Sequence, residues 1–318
     1  MPKKILDVLI AFDQPEILNC DFERRFPEHK FHYATNKSEI VNTLEKVNPS
    51  VALSIKHPPF PPQHHLPLRE HPSLEWIHVG GSGYDHFIPW NKKRLTITNS
   101  QGVLARFLAE TCIGAMLALN GNFLTYIAQK NKRHWEPQSF SPLQGKTLLI
   151  VGVGAIGGYV SEFAKALGMR VIGIRGSGQP HPSVDEMYMP NSLLDVIGEA
   201  DFLSLHVRLN NETTQLIDKK VLNAMKKNSF LLNTARGPVV DEKALCDALH
   251  SKHLGGAYLD VFENEPLPDS SPLWQMKNVL ITPHAADAVF DWPARYASIF
   301  CDNLEHWTQG EPLINVVD

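Results

Sequence analysis

One segment, residues 146–174, indicates the fold and reads KTLLIVGVGAIGGYVSEFAKALGMRVIGI. An apolar run without helical periodicity, 147–151, ends directly in the glycine-rich turn GVGAIG at 152–157. Apolar residues at helical spacing follow the turn, and a second apolar run, 170–174, comes after Gly168. This order of strand, glycine turn, helix and strand is the context that a dinucleotide-binding fingerprint requires.

Each glycine of the turn has a predicted role. Gly152 allows the tight turn, Gly154 leaves room for a pyrophosphate, and Gly157 lets the helix pack close to the strand. The N–H groups that open the helix, at Ala155 and Ile156, face the pyrophosphate, and the helix dipole adds to the attraction. A glycine turn with a purely structural role is the alternative, which the two flanking strands disfavour. We therefore predict a nucleotide-binding βαβ unit.

Strands and helices alternate along the rest of the chain. A first parallel sheet is predicted from five strands, at residues 4–12, 31–34, 51–55, 74–79 and 95–98. A second sheet extends the fingerprint strands by four more, at residues 202–206, 230–233, 256–260 and 279–282. The pattern predicts an α/β fold of two doubly wound parallel-sheet domains.

The predicted domain boundaries follow from these two sheets. Residues 99–284 form the dinucleotide-binding domain, and residues 1–98 with 285–318 form the substrate domain, because the closing helix at 289–308 comes too late to serve the second sheet. In the first domain we predict a helix at 15–26. Residues 57–67 are rich in proline and are predicted to form an irregular loop, in which His64-His65 is solvated.

Composition excludes several classes of function. The formal charge of −4 and the pI near 6.4 give no basic surface for nucleic acid, and no apolar stretch is long enough to cross a membrane. The cysteines are far apart and lack CxxC spacing, so they predict neither a metal site nor a disulfide framework. They are Cys20, Cys112, Cys246 and Cys301. This usage is typical of a protein in a reducing cytoplasm.

Three predicted strands of the second half each end in a polar cluster. Residues 233–237, with the sequence NTARG, follow one strand, Asp260 and Glu265 follow the next, and His284 follows the last. Ligands of doubly wound sheets bind at the carboxyl ends of the strands, where an arginine such as Arg236 can hold a carboxylate bidentately. Taken singly, the arginine could form an interdomain salt bridge, the acidic loop a solvated turn, and the histidine a structural contact. Together, at the edge that receives the cofactor, they indicate an active site.

Five segments are characteristic of one enzyme family. They are GGSGYD at 80–85, the fingerprint at 152–157, NTARG at 233–237, DVF at 260–262 with Glu265-Pro266, and TPH at 282–284. Through them, essentially the whole chain resembles the D-isomer-specific 2-hydroxyacid dehydrogenases, which include glyoxylate/hydroxypyruvate reductases. The resemblance implies a Rossmann cofactor domain inserted in a flavodoxin-like substrate domain, with the active site in the cleft between them.

The resemblance also implies roles for single residues in the reduction of 2-oxo acids to D-2-hydroxy acids. It makes Arg236 the substrate-binding arginine, Glu265 the carboxylate partner, and His284 the acid/base. The backbone N–H groups of Ser82 and Gly83 hold the substrate carboxylate. The cofactor is expected at Gly152, Gly154, Ala155, Ile156, Gly157, His206, Thr234, Ala235 and Asp260, the last on the nicotinamide carboxamide.

Elementary chemistry supports these roles. Charge grows on the substrate oxygen when hydride reaches the 2-oxo carbon, and proton transfer from a protonated imidazole typically contributes about 10²–10⁴-fold. A Glu265 carboxylate beside His284 favours the charged imidazole. Arg236 fixes the substrate carboxylate and stabilises the developing oxyanion.

Departures from the family pattern bear on the cofactor. Where NAD-dependent members usually end the second fingerprint strand with an acidic residue, this chain has Arg175-Gly176-Ser177, and Arg208 stands where proline is common. An acid there would bind the ribose 2′-OH and repel a 2′-phosphate. We therefore predict that Arg175, Ser177 and Arg208 contact the cofactor and favour NADP(H), with NAD(H) as a second cofactor. The alternative is that Arg175 is a solvated surface residue.

A further departure bears on the substrate. Asp287 stands three residues beyond His284, where a small residue is usual, and is predicted to line the pocket for the substrate side chain. Its alternative role is to cap the final helix. Glyoxylate and hydroxypyruvate are the predicted substrates.

The resemblance also predicts assembly and leaves two rivals. Because 103–130 is unusually apolar and family members pair through this segment, we expect a homodimer. Formate dehydrogenase shares the fold but lacks the glutamate partner that Glu265 supplies. A nucleotide-sensing corepressor is the non-enzymatic rival; such proteins usually carry extra interaction tails, and this chain ends soon after its closing helix.

Overall fold

The computed structural model of the chain describes residues 5–57 and 59–317 and divides into two compact units. Residues up to Leu104 form the first unit together with those from Val289 onward, and Ala105–Ala288 form the second. Both boundaries lie a few residues beyond the predicted ones at 98 and 284. The chain leaves the first unit once and returns to it for its last helix.

The first unit contains a five-stranded parallel sheet. Its strands are β1 (Asp7–Ala11), β2 (Lys30–Ala34), β3 (Val51–Ile55), β4 (Trp76–Gly80) and β5 (Thr96–Asn99). Their order, β2-β1-β3-β4-β5, is the flavodoxin-like arrangement. Strands β3 and β4 are buried along their whole length, as their continuous apolar runs predict for a sheet covered on both faces.

The single helix predicted at 15–26 is wrong. Pro15–Leu18 forms a 3₁₀ turn, and Asn19 then takes a left-handed backbone conformation with φ of 46°. The first α-helix starts only at Phe22, where the Asp21 side chain accepts a hydrogen bond from the Arg24 N–H. The helices of this part are α1 (Phe22–Arg25), α2 (Lys37–Val47) and α3 (Leu66–Glu70).

The proline-rich segment is more ordered than predicted. Pro62–His64 forms a 3₁₀ turn that leads into α3, so only part of 57–67 is an irregular loop. The expectation of a solvated His64-His65 pair is wrong for His65, which is fully buried. Its Nδ1 lies 2.9 Å from the Oγ of Ser54 in β3, a partner that sequence periodicity does not reveal.

The second unit contains a seven-stranded parallel sheet. Its strands are β6 (Thr147–Val151), β7 (Arg170–Ile174), β8 (Glu186–Tyr188), β9 (Phe202–Leu205), β10 (Phe230–Asn233), β11 (Gly256–Leu259) and β12 (Val279–Ile281). The order β12-β11-β10-β9-β6-β7-β8 is the Rossmann order extended by one strand. The two parallel sheets confirm the predicted fold class. Strand β8 was missed, because its three residues carry no apolar run.

Both faces of the second sheet are buried. Successive residues of β6 point to opposite faces: Leu149 and Val151 lie in one apolar cluster, and Leu148 and Ile150 lie in the other. The helices that cover these faces, and the closing helix of the first unit, are α4 (Ala105–Asn120), α5 (Phe123–Asn131), α6 (Ala155–Ala166), α7 (Leu193–Val196), α8 (Lys219–Ala224), α9 (Glu242–His250) and α10 (Trp292–Gln309).

Helices α4 and α5 are bent relative to each other by 64°. Over the described residues, no single helix is long and apolar enough to span a membrane. Only this bent pair, with its two helices taken together, has a sufficient length and apolar composition. Helix α4 turns one side to the sheet and packs against α6, with Ala109, Cys112 and Met116 fully buried.

Candidate active site

The three predicted polar clusters follow three neighbouring strands. Strands β10, β11 and β12 are adjacent and parallel, so their carboxyl ends lie side by side at one edge of the sheet. Arg236 follows β10, Asp260 follows β11, and His284 follows β12. The structure therefore places these predicted residues at one edge of the second unit.

His284 and Glu265 form a close pair at this edge. The Nδ1 of His284 lies 2.8 Å from Oε2 of Glu265, and the two side chains are 45% and 36% exposed. The backbone N–H of His284 donates to the carbonyl of Asp260, with φ of 51° at His284. Because Nδ1 is engaged by the carboxylate, the nitrogen that remains for another partner is Nε2.

Glu265 is held as an ion. Burial acts to raise the pKa of its carboxyl, but the hydrogen bond and charge of His284, the N–H of Phe262 and the charge of Arg236 outweigh burial, so the pKa is lowered. Because the folded-state pKa is lowered, the stabilising contacts of this carboxylate persist through neutral pH and weaken only as the pH falls through that value.

Asp260 fixes the loop that carries the histidine. Its Oδ1 accepts hydrogen bonds from the hydroxyl of Thr282 at 2.5 Å and from the N–H of Ala285 at 2.7 Å. The Tyr258 hydroxyl lies 2.9 Å from the same threonine oxygen, so a buried chain connects β11 to the residues on both sides of His284. Asp260 is only 3% exposed, and its second carboxylate oxygen is the atom left for a ligand.

A close approach of two backbones brings Arg236 near this pair. A Cβ atom at Gly237 would stand 1.9 Å from the carbonyl carbon of Phe262, so only glycine permits the contact between the two loops. Asn233 shapes the first loop, since its side chain accepts from the Ala235 N–H and donates to the Arg236 carbonyl. The guanidinium of Arg236 donates to the Ala235 carbonyl at 2.7 Å.

The glycine turn has the geometry that a pyrophosphate needs. Gly152 has φ of 102°, and a Cβ there would lie 2.6 Å from the carbonyl oxygen of His206. A Cβ at Gly157 would lie 2.4 Å from the Gly152 carbonyl, whereas one at Gly154 would meet no described atom within 4 Å. The space at Gly154 adjoins the start of α6 at Ala155, which no side chain caps. A helix N-terminus with this open approach fits an anionic cofactor group.

The end of β7 carries a cation and no acid. Arg175 is half-buried, its N–H donates to the Tyr188 carbonyl, and its carbonyl closes a turn with Gly178. The guanidinium of Arg175 makes no hydrogen bond or ion pair with the described residues. Ser177, in the same turn, is exposed.

The nearest acids along the chain are engaged elsewhere. Asp185 accepts from the Lys165 ammonium at 2.7 Å and from the Val171 N–H at 2.8 Å, at the opposite end of β7. Glu186 binds Arg170, the first residue of the strand. The pKa values of both carboxyls are lowered, chiefly by these hydrogen bonds to Lys165 and Arg170.

The remaining predicted cofactor residues differ in burial and in the orientation of their side chains. The ring of His206 points inward, 2.8 Å from the Ser204 hydroxyl and 3.3 Å from the Thr234 hydroxyl, and burial lowers its pKa to about 3. The neutral ring therefore supports the loop after β10. Ala235 is buried, and Arg208 is exposed after the end of β9.

Asp287 does not cap the closing helix. Helix α10 starts at Trp292, and Asp291 stands at its N-cap position. Asp287 is half-buried in the second unit, close enough to His284, Asp260 and Arg236 for their charges to act on it. Burial is the main cause of its raised pKa, and no other described residue forms a hydrogen bond with its carboxylate.

The predicted substrate-binding loop GGSG lies at the end of β4 in the first unit. Gly81 has φ of 105°, and a Cβ at Gly80 would lie 2.6 Å from the Ile55 side chain, so both glycines are needed for the turn. The Asn99 amide donates to the Ser82 carbonyl at 2.8 Å and fixes the loop. The N–H groups of Ser82 and Gly83 have no acceptor in the described part of the chain.

The sequence analysis missed the supporting residues of the site. Thr282, Tyr258, Ala285 and Ser204 hold the predicted residues in place, and Thr111 of α4 donates to the Ala286 carbonyl at 2.8 Å. Strand register and helix packing bring these side chains, and the backbone N–H of Ala285, to the site. Only Thr282 lies in a motif of the sequence, the TPH segment at 282–284, and the motif does not reveal its contact with Asp260.

Comparisons with known proteins identify relatives over most of the chain. The family model described as "D-isomer specific 2-hydroxyacid dehydrogenase, NAD binding domain" matches residues 113–286. A glyoxylate reductase of Korarchaeum cryptofilum is 36% identical over 78% of this chain and 77% of its own length, and one of Aeropyrum pernix is 36% identical over 79% and 78%. The crystal structure of a D-isomer specific 2-hydroxyacid dehydrogenase family protein from Aeromonas salmonicida is 28% identical, covers 99% of both chains and has a TM-score of 0.87.

Proposed function

The chain belongs to the D-isomer specific 2-hydroxyacid dehydrogenase family and is an NAD(P)-dependent oxidoreductase, and from this premise we propose that it reduces small 2-oxo acids to D-2-hydroxy acids with a preference for NADPH. The observation that carries the proposal is the 2.8 Å contact of His284 with Glu265 beside Asp260 at the end of adjacent strands. Glyoxylate and hydroxypyruvate are the proposed substrates, supported by relatives named glyoxylate reductase.

His284 is the proposed acid. Its Nδ1 stays bonded to Glu265, so the proton passes from Nε2 to the substrate oxygen as charge develops there. After the transfer, the ionised Glu265 accepts a hydrogen bond from Nδ1–H and holds the neutral tautomer with its proton on Nδ1. In oxidation of the hydroxy acid, the same nitrogen accepts the proton.

Arg236 and the GGSG loop are proposed to bind the acid group of the substrate. The guanidinium offers a planar pair of donors for the carboxylate, and the backbone N–H groups of Ser82 and Gly83 offer two more. Arg236 also places positive charge near the developing oxyanion.

The glycine turn and the ends of β7, β9 and β10 are proposed to bind the cofactor, which supplies or accepts the hydride. Gly154 and the N–H groups of Ala155 and Ile156 suit the pyrophosphate, and the free carboxylate oxygen of Asp260 suits the carboxamide. Further contacts are assigned to Gly152, Gly157, Arg175, Ser177, Arg208, Thr234, Ala235 and the backbone of His206.

The preference for NADPH is proposed from the charges around β7. Arg175 and Ser177 offer a cation and a donor at its carboxyl end, while Asp185 and Glu186 are paired near its other end. A 2′-phosphate at this end would therefore be attracted by Arg175 and Ser177, and no nearby carboxylate would repel it. One charge-assisted hydrogen bond contributes about 1.5–3 kcal/mol, which corresponds to roughly tenfold to hundredfold in affinity.

Replacing Arg175 with alanine should raise KM for NADPH about tenfold or more and leave KM for NADH within about twofold. The matched control is Arg170→Ala, which removes an arginine from the other end of the same strand, where it binds Glu186 and Glu199. Steady-state kinetics with both cofactors measures the ratio of KM for NADPH to KM for NADH. An unchanged ratio in Arg175→Ala, or equal use of both cofactors by the wild-type protein, would refute the preference.

Replacing Asp287 with serine should raise kcat/KM for oxaloacetate several-fold relative to hydroxypyruvate, because the carboxylate repels a second negative charge on the substrate. Since the pKa of Asp287 is raised, its carboxylate takes up a proton at a higher pH than that of an ordinary aspartate. The discrimination of the wild type against oxaloacetate should therefore weaken as the pH falls. Asp291→Ser, which loses a surface pair with Arg295, is the control. The proposed role of Asp287 is refuted if the ratio of kcat/KM for oxaloacetate to that for hydroxypyruvate is the same in all three proteins.

A homodimer is proposed from the apolar surface of α4, α5 and the loop after them. This surface exposes Leu117, Phe123, Tyr126, Ile127, Trp135 and Phe140, with Trp135 97% exposed. Monomers rarely leave so many large apolar side chains together in water, so a second copy of the chain is the proposed cover. A cytoplasmic location without nucleic-acid or membrane partners stays a sequence prediction.

The experiment that tests the proposed function is a kinetic panel. Purified protein is assayed by absorbance of the reduced cofactor with glyoxylate, hydroxypyruvate, pyruvate and oxaloacetate, and in the reverse direction with formate. We expect the highest kcat/KM for glyoxylate or hydroxypyruvate with NADPH. Turnover of formate alone would favour the formate dehydrogenase reading, and binding of NADPH without turnover of any acid would favour a regulator.

A further inference from the structure

Two cysteines that are far apart in sequence meet in the first unit. The Sγ atoms of Cys20 and Cys301 lie 3.5 Å apart, although 281 positions separate the residues. Cys301 is buried in α10, and Cys20 is half-buried in the irregular stretch between the 3₁₀ turn and α1. The other two cysteines belong to the second unit, where Cys112 is buried and Cys246 is half-buried.

Contacts on both sides hold the two thiols together. Beyond Cys20, the guanidinium of Arg25 lies 3.1 Å from Asp302 and 2.9 Å from Glu305, both on α10. The ring of Phe22 packs edge-on against Phe300, with the centroids 6.0 Å apart. Helix α1 is thereby docked on α10 by an ion-pair cluster and an aromatic contact. The proximity of the sulfurs therefore follows from packing that neither thiol creates.

We propose that Cys20 and Cys301 form a site of reversible oxidation, at which hydrogen peroxide converts the two thiols into an intramolecular disulfide. The Cys20 thiolate attacks one peroxide oxygen, the O–O bond breaks, and the released hydroxide takes up a proton to become water. The Cys301 sulfur then attacks the sulfenic sulfur of Cys20. The S–S bond forms, the S–OH bond breaks, and the hydroxide leaves as water with the Cys301 proton. Two thiols are oxidised and one hydrogen peroxide is reduced to two molecules of water, which take up the protons of the two thiols.

The two cysteines are suited to different steps. The hydrogen bond with the Cys301 thiol is the main cause of the lowered pKa of Cys20, and Arg25 adds to it against the effect of burial. The same hydrogen bond and burial raise the pKa of Cys301. The more accessible sulfur is thus the better thiolate, and the buried one is kept for the second step.

The geometry permits the bond with a small movement. A disulfide needs its sulfurs about 2.05 Å apart, so they must approach by roughly 1.5 Å. Cys20 lies outside regular secondary structure, beside Asn19 with its left-handed backbone, so its segment can shift more easily than α10. The disulfide would then connect the segment around Cys20, near the start of the chain, to α10, its last helix.

The pair lies away from the GGSG loop, so oxidation should stabilise the protein without inhibiting it. On α10, Tyr296 packs against Gly80 at the end of β4, whereas Phe300, the neighbour of Cys301, stacks on Trp76 at the start of β4. The disulfide would close a loop of almost the whole chain, and a long loop gives the largest entropic effect on the unfolded state.

The experiment treats the purified full-length protein with a few equivalents of hydrogen peroxide. Of the four cysteines, two should remain titratable by a thiol reagent after denaturation, the intact mass should fall by about 2 Da, and peptide mapping should give one 20–301 crosslink. We expect Tm to rise by about 3 °C or more, kcat to stay within about twofold, and dithiothreitol to reverse the change.

Two variants keep the test decisive. Cys20→Ser changes a half-buried side chain and should abolish the mass loss and the Tm rise, whereas Cys246→Ser, at an equally half-buried cysteine of the second unit, should retain both. The proposal is overturned if the wild type keeps four thiols, if it gains oxygen without a crosslink, or if Cys20→Ser still shows the Tm rise.

Discussion

Replacing His284 with alanine should lower kcat for the 2-oxo acid by at least about 10²-fold, because the proton donor at the substrate oxygen is lost. The imidazole is 45% exposed, and within the described part of the chain its ring is hydrogen-bonded through Nδ1 to Glu265 alone, so the loop should survive the truncation. Affinity for NADPH, measured by fluorescence titration, should stay nearly unchanged. This division between kcat and cofactor binding separates loss of chemistry from loss of structure.

The matched control is His32→Ala. His32 forms a histidine–carboxylate contact of the same length, 2.8 Å to Asp7, but in β2 of the first unit. We expect its kcat within about twofold of the wild type. Normal turnover in His284→Ala, or an equal loss in both variants, would contradict the assigned acid.

Replacing Arg236 with alanine should raise KM for the 2-oxo acid about tenfold to hundredfold, because a charge-assisted bidentate contact contributes several times RT. The cofactor KM should change little, since Arg236 follows β10, its guanidinium donates to the Ala235 carbonyl of its own loop, and its charge acts on the carboxyl of Glu265. Steady-state kinetics with saturating NADPH measures the effect. A smaller drop in kcat should accompany it, from the lost charge near the oxyanion.

The variant Arg236→Lys distinguishes the effect of the planar pair of donors from the effect of the positive charge. Lysine keeps the positive charge but offers no planar pair of donors, so its KM should fall between those of the wild type and Arg236→Ala. A KM for Arg236→Ala equal to that of the wild type would mean that the arginine serves structure alone, the salt-bridge alternative raised by the sequence.

The strands and the site edge could be predicted because their signals are local. Continuous apolar runs such as 147–151 mark strands buried on both faces, and a glycine turn before a helix marks the cofactor fingerprint. Parallel strands bring their carboxyl ends to one edge, so Arg236, Asp260 and His284 could be grouped from chain order alone.

The rest depended on tertiary contacts. The helix predicted at 15–26 is broken at Asn19, whose left-handed conformation a helical pattern does not reveal. The burial of His65 depends on the hydroxyl of Ser54 across the fold. The meeting of Cys20 and Cys301 arises only when α1 docks on α10. The inward turn of the His206 ring likewise depends on the hydroxyls of Ser204 in β9 and of Thr234 just after β10.

The measurement that tests the account most directly is turnover by the pure wild-type protein with NADPH and hydroxypyruvate, followed by chiral analysis of the product. We expect oxidation of one NADPH per acid reduced and formation of D-glycerate, with a kcat/KM higher than that with NADH. Absence of turnover in a protein that binds NADPH, or formation of the L-hydroxy acid, would contradict it.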